Sequence, residues 1–209
     1  LFPYTTLFRS GDGTFLSGDS LLALFAADAA EAGDRVAVPV DTSLAVEDFL
    51  ADRGVSVVRT PVGDVHVAEA ATEADVAFGG EPSGAWIWPD VTLCPDGPLA
   101  AVRLAALAAA EPIGSRLEAI PSYPIRRASV ERGDKTATLA AVETAVLERY
   151  ESVKTLAGVR IERDEGWFLI RASGTQPLVR LTAEARSADR AEELLAEARS
   201  IVESAESGG

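Results

Sequence analysis

Apolar residues recur along this chain in two different rhythms. Between residues 34 and 88, short β-branched runs (RVAVPV at 35–40, VSVVR at 55–59, DVAF at 75–78) alternate with stretches whose apolar positions fall at helical spacing. Those stretches predict helices over 44–53, closed by Gly54, and over 65–73, after a turn at Thr60-Pro61-Val62-Gly63. Upstream, Ser17 or Asp19 is placed to cap a helix that runs to residue 30, buries Leu21, Leu22 and Phe25 and stops at Gly33. Asp12-Gly13 ahead of Thr14-Phe15-Leu16 reads as a hairpin turn. After a glycine-rich loop at 79–84, Trp86 and Trp88 flank Ile87, which predicts a strand with one aromatic face packed inward. A helix over 98–109 closes the segment. Strand and helix alternating at this spacing predict βαβ units around a largely parallel sheet.

Beyond Glu111-Pro112-Ile113-Gly114 the rhythm changes. A strand at 123–130 and a helix at 136–150 precede three consecutive strands at 158–163, 167–172 and 178–185, with Asp164-Glu165-Gly166 as a hairpin turn. A final helix over 188–204 puts Ala191, Leu194, Leu195 and Ile201 on one stripe, and a Glu-Ser-Gly-Gly tail follows that is expected to fray. Consecutive strands predict an antiparallel sheet with helices on one face. The fold class is therefore α/β, a parallel-sheet domain followed by an α+β domain.

Composition narrows this picture. With 209 residues, 47% of them hydrophobic, the chain can fill one or two packed domains. No apolar run approaches the roughly 20 residues of a membrane span; the longest, at 99–110, is broken by Arg103. Cys94 is the only cysteine, which excludes a disulfide framework and points to a reducing, cytoplasmic compartment. A formal net charge of −14 argues against partners that are nucleic acid or anionic membrane. The carboxylates are scattered, as on the strongly hydrated surface of a salt-adapted protein. Among the 19 basic residues only Lys135 and Lys154 are lysines.

Two loops carry candidate chemistry. In Arg171-Ala172-Ser173-Gly174-Thr175-Gln176-Pro177, with Arg180 on the outgoing strand, Gly174 lets the backbone approach a ligand closely and adopt an unusual φ, so that consecutive N–H groups form an anion nest. Ser173 and Thr175 add hydroxyl donors, Arg171 a planar fork matched to phosphate, and Arg180 a second positive charge. The same residues also fit a plain turn beside a surface arginine. In Phe78-Gly79-Gly80-Glu81-Pro82-Ser83-Gly84, just past a parallel strand, Gly80 and Gly84 leave room while Glu81 and Ser83 can bond vicinal hydroxyls of a sugar. That loop equally fits a connection with a solvated glutamate.

Together, in this order and spacing, the two loops resemble the α-D-phosphohexomutases: phosphoglucosamine mutase, phosphomannomutase and phosphoglucomutase. Gly80-Glu81-Pro82-Ser83-Gly84 is similar to the family's sugar-binding Gly-Glu-x-Ser-Gly loop, and the Arg171 loop to its phosphate-binding Arg-x-Ser-Gly-Thr-Glu-Pro loop. Thr60-Pro61-Val62-Gly63 is similar to a turn of the third domain, and the segment around 12–19 to the stretch after the metal loop of the second. The resemblance implies a remnant of domain two at 11–33, domain three at 34–112 and domain four at 113–209. Residues 1–10, LFPYTTLFRS, are identified as the translation of a common sequencing adapter, foreign to the fold.

The family moves a phosphoryl group between the 1- and 6-positions of a hexose phosphate through a 1,6-bisphosphate, using a phosphoserine and a Mg²⁺ held by an Asp-rich loop. Neither of those two loops occurs in this chain, and Gly11-Asp12-Gly13 offers one carboxylate, too few for such a metal site. The resemblance thus implies a phosphohexose as substrate partner, no catalytic or metal residue here, and an inactive fragment; it sets no oligomeric state. Phosphoglucosamine mutase is the first expectation, phosphomannomutase or phosphoglucomutase the second, and a non-catalytic phosphosugar-binding or regulatory protein the competitor from another class. Gln176 replaces the family's glutamate, and Ala85 stands where many relatives carry histidine. Gly63 and His66 are possible further contacts, His66 as the one imidazole available to substitute.

Overall fold

The computed structural model describes residues 8–11, 13 and 15–206. The chain divides into two compact units, Leu1–Ser122 and Tyr123–Gly209. Most of the adapter-like segment (residues 1–7), Asp12 and Thr14 of the expected hairpin, and the last three residues of the tail lie outside the described residues. Within the rest of that segment, Arg9 bridges Phe15 in antiparallel fashion and the Leu16 N–H donates to the Phe8 carbonyl at 3.0 Å.

In the first unit, β1 (Arg35–Pro39), β2 (Ser56–Thr60), β3 (Val76–Glu81) and β4 (Ala85–Ile87) form one sheet in the order β2-β1-β3-β4. β1 runs parallel to β2 and β3, and β4 turns back antiparallel to β3. Because strand side chains alternate, β1 feeds two cores. Val36 and Val38 pack with Leu22 and Phe25 of α1 (Gly18–Ala29) and with Phe49 and Leu50 of α2 (Leu44–Ala51). Ala37 faces Val67 and Ala71, at α3 (Asp64–Ala70) and its C-terminal cap. The expected aromatic face is present: Trp86 and Trp88 meet the Phe25 ring edge-on at 5.4 and 5.3 Å, a favoured geometry for buried rings.

Local rules place the helices. Ser17 caps α1 by accepting from the Ser20 N–H, Ser43 caps α2, and Asp96 caps α4 (Gly97–Ala110). A short α5 (Ile113–Glu118), opened by Pro112, occupies a stretch that had carried only a change of rhythm. Half of the segment expected as a glycine-rich loop, residues 79–81, is strand. β3 continues through Gly79, Gly80 and Glu81 because these pair with Ile87, Trp86 and Ala85 in a tight hairpin.

The second unit is a five-stranded antiparallel sheet in the order β5-β9-β8-β7-β6. Its strands are β5 (Ile125–Glu131), β6 (Val153–Lys154), β7 (Val159–Arg163), β8 (Gly166–Ala172) and β9 (Leu178–Ala185); β6 was not expected. One face packs Ile161, Phe168, Ile170 and Leu181 against Val142 and Val146 of α6 (Lys135–Arg149) and Leu194, Ala198 and Val202 of α7 (Ala188–Glu206). On alternate positions, Arg160 stacks 3.9 Å over the Trp167 ring, whose Nε1–H donates to Glu184 at 2.8 Å. The α/β fold class thus stands in both its parts. No helix among the described residues is long and apolar enough to cross a membrane.

Candidate functional site

In the first unit the candidate residues gather at the carboxyl ends of the parallel strands, where open α/β sheets bind ligands. Glu81 ends β3 and is buried, with both carboxylate oxygens engaged. Oε1 accepts from the Gly63 N–H at 2.7 Å and Oε2 from the Ser83 hydroxyl at 3.0 Å. One carboxylate therefore ties the turn after β2 to the turn after β3. Each oxygen keeps a further lone-pair direction, enough to accept from vicinal sugar hydroxyls. Ser83 and Gly84 are exposed at the turn, and Gly84 takes φ 109°, a left-handed conformation suited to glycine. His66 is exposed in the first turn of α3, its N–H bonded to the Gly63 carbonyl.

Gly80 corrects the sequence reading. It was expected to leave room for a ligand, yet a Cβ there would lie 2.6 Å from Leu22 and 3.2 Å from Trp86. Its bareness serves the core. Gly18, which the sequence reading passed over, matters more to this loop, since a Cβ on it would lie 1.8 Å from the Pro82 carbonyl oxygen. A glycine in the first turn of a helix, where it is a poor former, was the available signal. Behind the loop, the guanidinium of Arg59, its side chain only 4% exposed, pairs with Glu47 and donates to the Thr42 carbonyl at 3.3 Å. The hydroxyl of Thr42 is buried without a partner among the described residues.

In the second unit a single hairpin carries the phosphate candidates. Arg171 on β8 stands directly opposite Arg180 on β9, which brings two positive charges into register on one hairpin. Arg180 also reaches the Gln176 side-chain oxygen at 3.4 Å. In the turn between these strands the Ser173 hydroxyl is buried and without a hydrogen-bond partner, and no partner is found among the described residues for the Gly174 and Thr175 N–H groups. Buried polar groups are normally satisfied, so these unused donors, in a turn whose flanking strands carry Arg171 and Arg180 in register, make the turn a candidate for an anion.

Gly174 is corrected in one respect. Its φ is outside the left-handed region, and a Cβ on it would meet nothing within 4 Å, so its value is open space in front of the turn. Two supports escaped the sequence reading. Gly158, at φ 137°, lies beneath Arg171, where a Cβ would come 2.7 Å from the Arg171 Cβ. Lys135, at the start of α6, donates from Nζ to the Ser173 carbonyl and, at 3.2 Å, to the Gln176 carbonyl. Among the described residues no group of three or more His, Cys, Asp or Glu is placed to hold a metal ion.

Residues 17–123 match a family model described as phosphoglucomutase/phosphomannomutase, alpha/beta/alpha domain III, and residues 127–201 match the C-terminal domain of the same family. A probable phosphoglucosamine mutase from Methanopyrus kandleri is 46% identical over 202 residues, covering 94% of this chain and 45% of that protein. A phosphoglucomutase/phosphomannomutase family protein from Burkholderia thailandensis shares the fold at a TM-score of 0.79 and 22% identity, over 95% of this chain and 44% of its own. N-acetylphosphoglucosamine mutase from Aspergillus fumigatus, in complex with GlcNAc-6P and magnesium, aligns at a TM-score of 0.62 and 19% identity, over 94% of this chain and 49% of its own. The chain spans less than half the length of these relatives.

Proposed function

This chain belongs to the phosphoglucomutase/phosphomannomutase family, and we propose that it forms the sugar- and phosphate-binding portion of a cytoplasmic phosphoglucosamine mutase. The parent reaction moves a phosphoryl group between O1 and O6 of a hexosamine phosphate through a 1,6-bisphosphate. Phosphoryl transfer of this kind depends on positioning and on electrostatic stabilisation. The residues here supply positioning. Glu81 accepts from sugar hydroxyls while Ser83 donates or accepts, and the Arg171 turn binds the phosphate that is not reacting. The phosphoserine and the Mg²⁺ belong to parts outside this chain, so the chain alone binds substrate without turning it over.

What supports this reading most is the turn between β8 and β9, an unpartnered buried hydroxyl and free N–H groups between two facing arginines. The test is calorimetric titration of the chain with glucose 1,6-bisphosphate. Arg171→Ala removes a charge-assisted partner and should weaken binding by about 10- to 100-fold. Unchanged affinity would overturn the clamp. Phosphomannomutase or phosphoglucomutase is the second reading, since Glu81 reads hydroxyls that these sugars share. Comparing glucosamine, mannose and glucose 6-phosphates as competitors ranks the three. Mutase turnover by the chain alone would contradict the assignment of catalysis to parts outside it.

A further inference from the structure

Lys135 occupies a position that its own helix does not favour. It is the first residue of α6, with Asp134 as the cap, and a cation there opposes the positive end of the helix dipole. Its side chain turns back across 38 positions of sequence to the Ser173 carbonyl, and also meets the Gln176 carbonyl. An ammonium carries three tetrahedral donors, which suits two carbonyls at either end of one turn.

The consequence lies in the geometry of a peptide unit. The Ser173 carbonyl and the Gly174 N–H belong to one trans peptide plane and point in opposite directions. Drawing the carbonyl to Lys135 therefore turns the Gly174 N–H away from it, onto the open side of the turn, and that N–H has no partner among the described residues. The second anchor costs no donor, because the peptide after Gln176 leads into Pro177, which has no N–H.

We propose that Lys135 is a positioning residue for phosphate, holding the Ser173–Gly174 peptide so that the Gly174 N–H is presented to the anion before it arrives. The proposal rests on the Arg171 turn being the phosphate site and adds the element that orients it. Preorganised donors bind an oxyanion without reorganisation at the moment of contact.

The experiment is a titration of the ¹⁵N-labelled chain with inorganic phosphate, following the Gly174 and Thr175 amide resonances, in the original protein, Lys135→Met, Lys135→Gln and Arg171→Ala. In the original protein the Gly174 amide should move downfield at saturation. In Lys135→Met that shift should shrink and the Kd should rise about tenfold, while Lys135→Gln, whose amide still reaches one carbonyl, falls between. The Lys135→Met deficit should persist in 1 M KCl, where a long-range charge effect is screened within about 3 Å. Lys135→Met or Lys135→Gln binding with the original Kd and Gly174 shift overturns the proposal, as does a deficit that vanishes in salt. If Arg171→Ala also binds as the original does, the phosphate site itself is lost, which separates the two failures.

Discussion

The two candidate loops solve opposite problems. At the end of β3, Glu81 is buried and already bonded on both oxygens, while Gly18 lets the Pro82 backbone approach and Gly80 makes room for the side chains of Leu22 and Trp86. Between β8 and β9 the Ser173 hydroxyl and the Gly174 and Thr175 N–H groups have no partner among the described residues, the glycine faces open space, and two arginines stand in register. A neutral hydroxyl offers little beyond the hydrogen bonds it exchanges, so a loop that reads it can be complete before the ligand arrives. A phosphate brings two negative charges, and a turn that is incomplete without it converts that deficit into affinity. On the proposed function, the first loop would select and the second retain.

The contrast can be broken by substitution. The largest effect on stability is expected from Gly18→Ala, whose methyl group would have to displace the Pro82 carbonyl; chemical denaturation should show a loss of about 3 kcal/mol. Glu81→Ala should cost about 2 kcal/mol, because the Gly63 N–H loses its acceptor in a partly buried setting. Gly174→Ala should change stability by less than about 0.5 kcal/mol, since the added methyl meets no protein atom. It should nevertheless abolish phosphate binding by calorimetry. A Gly174→Ala variant that unfolds, or a Glu81→Ala variant that does not notice, would erase the distinction between a finished loop and a waiting one.

A finer contrast is expected in pH. In the first unit Arg35 holds the Asp75 carboxyl below its ordinary value of 3.8 through a hydrogen bond. The folded pKa is depressed, so this contribution is present above that value and fades as pH falls through the folded pKa. In the second unit burial, and then the hydrogen bond to Glu197, push Tyr150 above its ordinary value of 10.0. That contribution is complete below pH 10 and is lost as pH rises through the raised folded value. Melting curves should therefore flatten at the acid end in Asp75→Asn and at the alkaline end in Tyr150→Phe, each by a small amount.

The sequence was most informative where structure is local. Ser17 could be read as a cap from its position before an amphipathic run, and the β-branched runs became strands because nothing in their surroundings competes with that pattern. Glu81, Ser83, Arg171 and Ser173 were readable as candidates because each lies within a short motif. What escaped depends on approach across space. The distance from Gly18 to Pro82, the reach of Lys135 to Ser173 and the place of Gly158 beneath Arg171 are tertiary facts with no local signature. Gly80 was misread for the same reason, since a glycine that makes room for Leu22 looks, in sequence, like one that makes room for a sugar.

The hairpin of β8 and β9 has a further consequence, for the order of folding. Arg171, the turn and Arg180 lie within one pair of adjacent antiparallel strands, a contact that closes over a short loop. β-Hairpins of this kind form in about 1–10 μs, before long-range pairing has paid its loop-closure entropy. The turn at Glu81 also closes a tight hairpin, with β4, but its bond from the Gly63 N–H waits for β1 to find β2 and β3 in parallel, and its packing waits for α1 to settle against Pro82. The hairpin that carries the proposed phosphate turn is thus expected to form early, and a phosphate in solution would meet it while the rest of the chain is still searching.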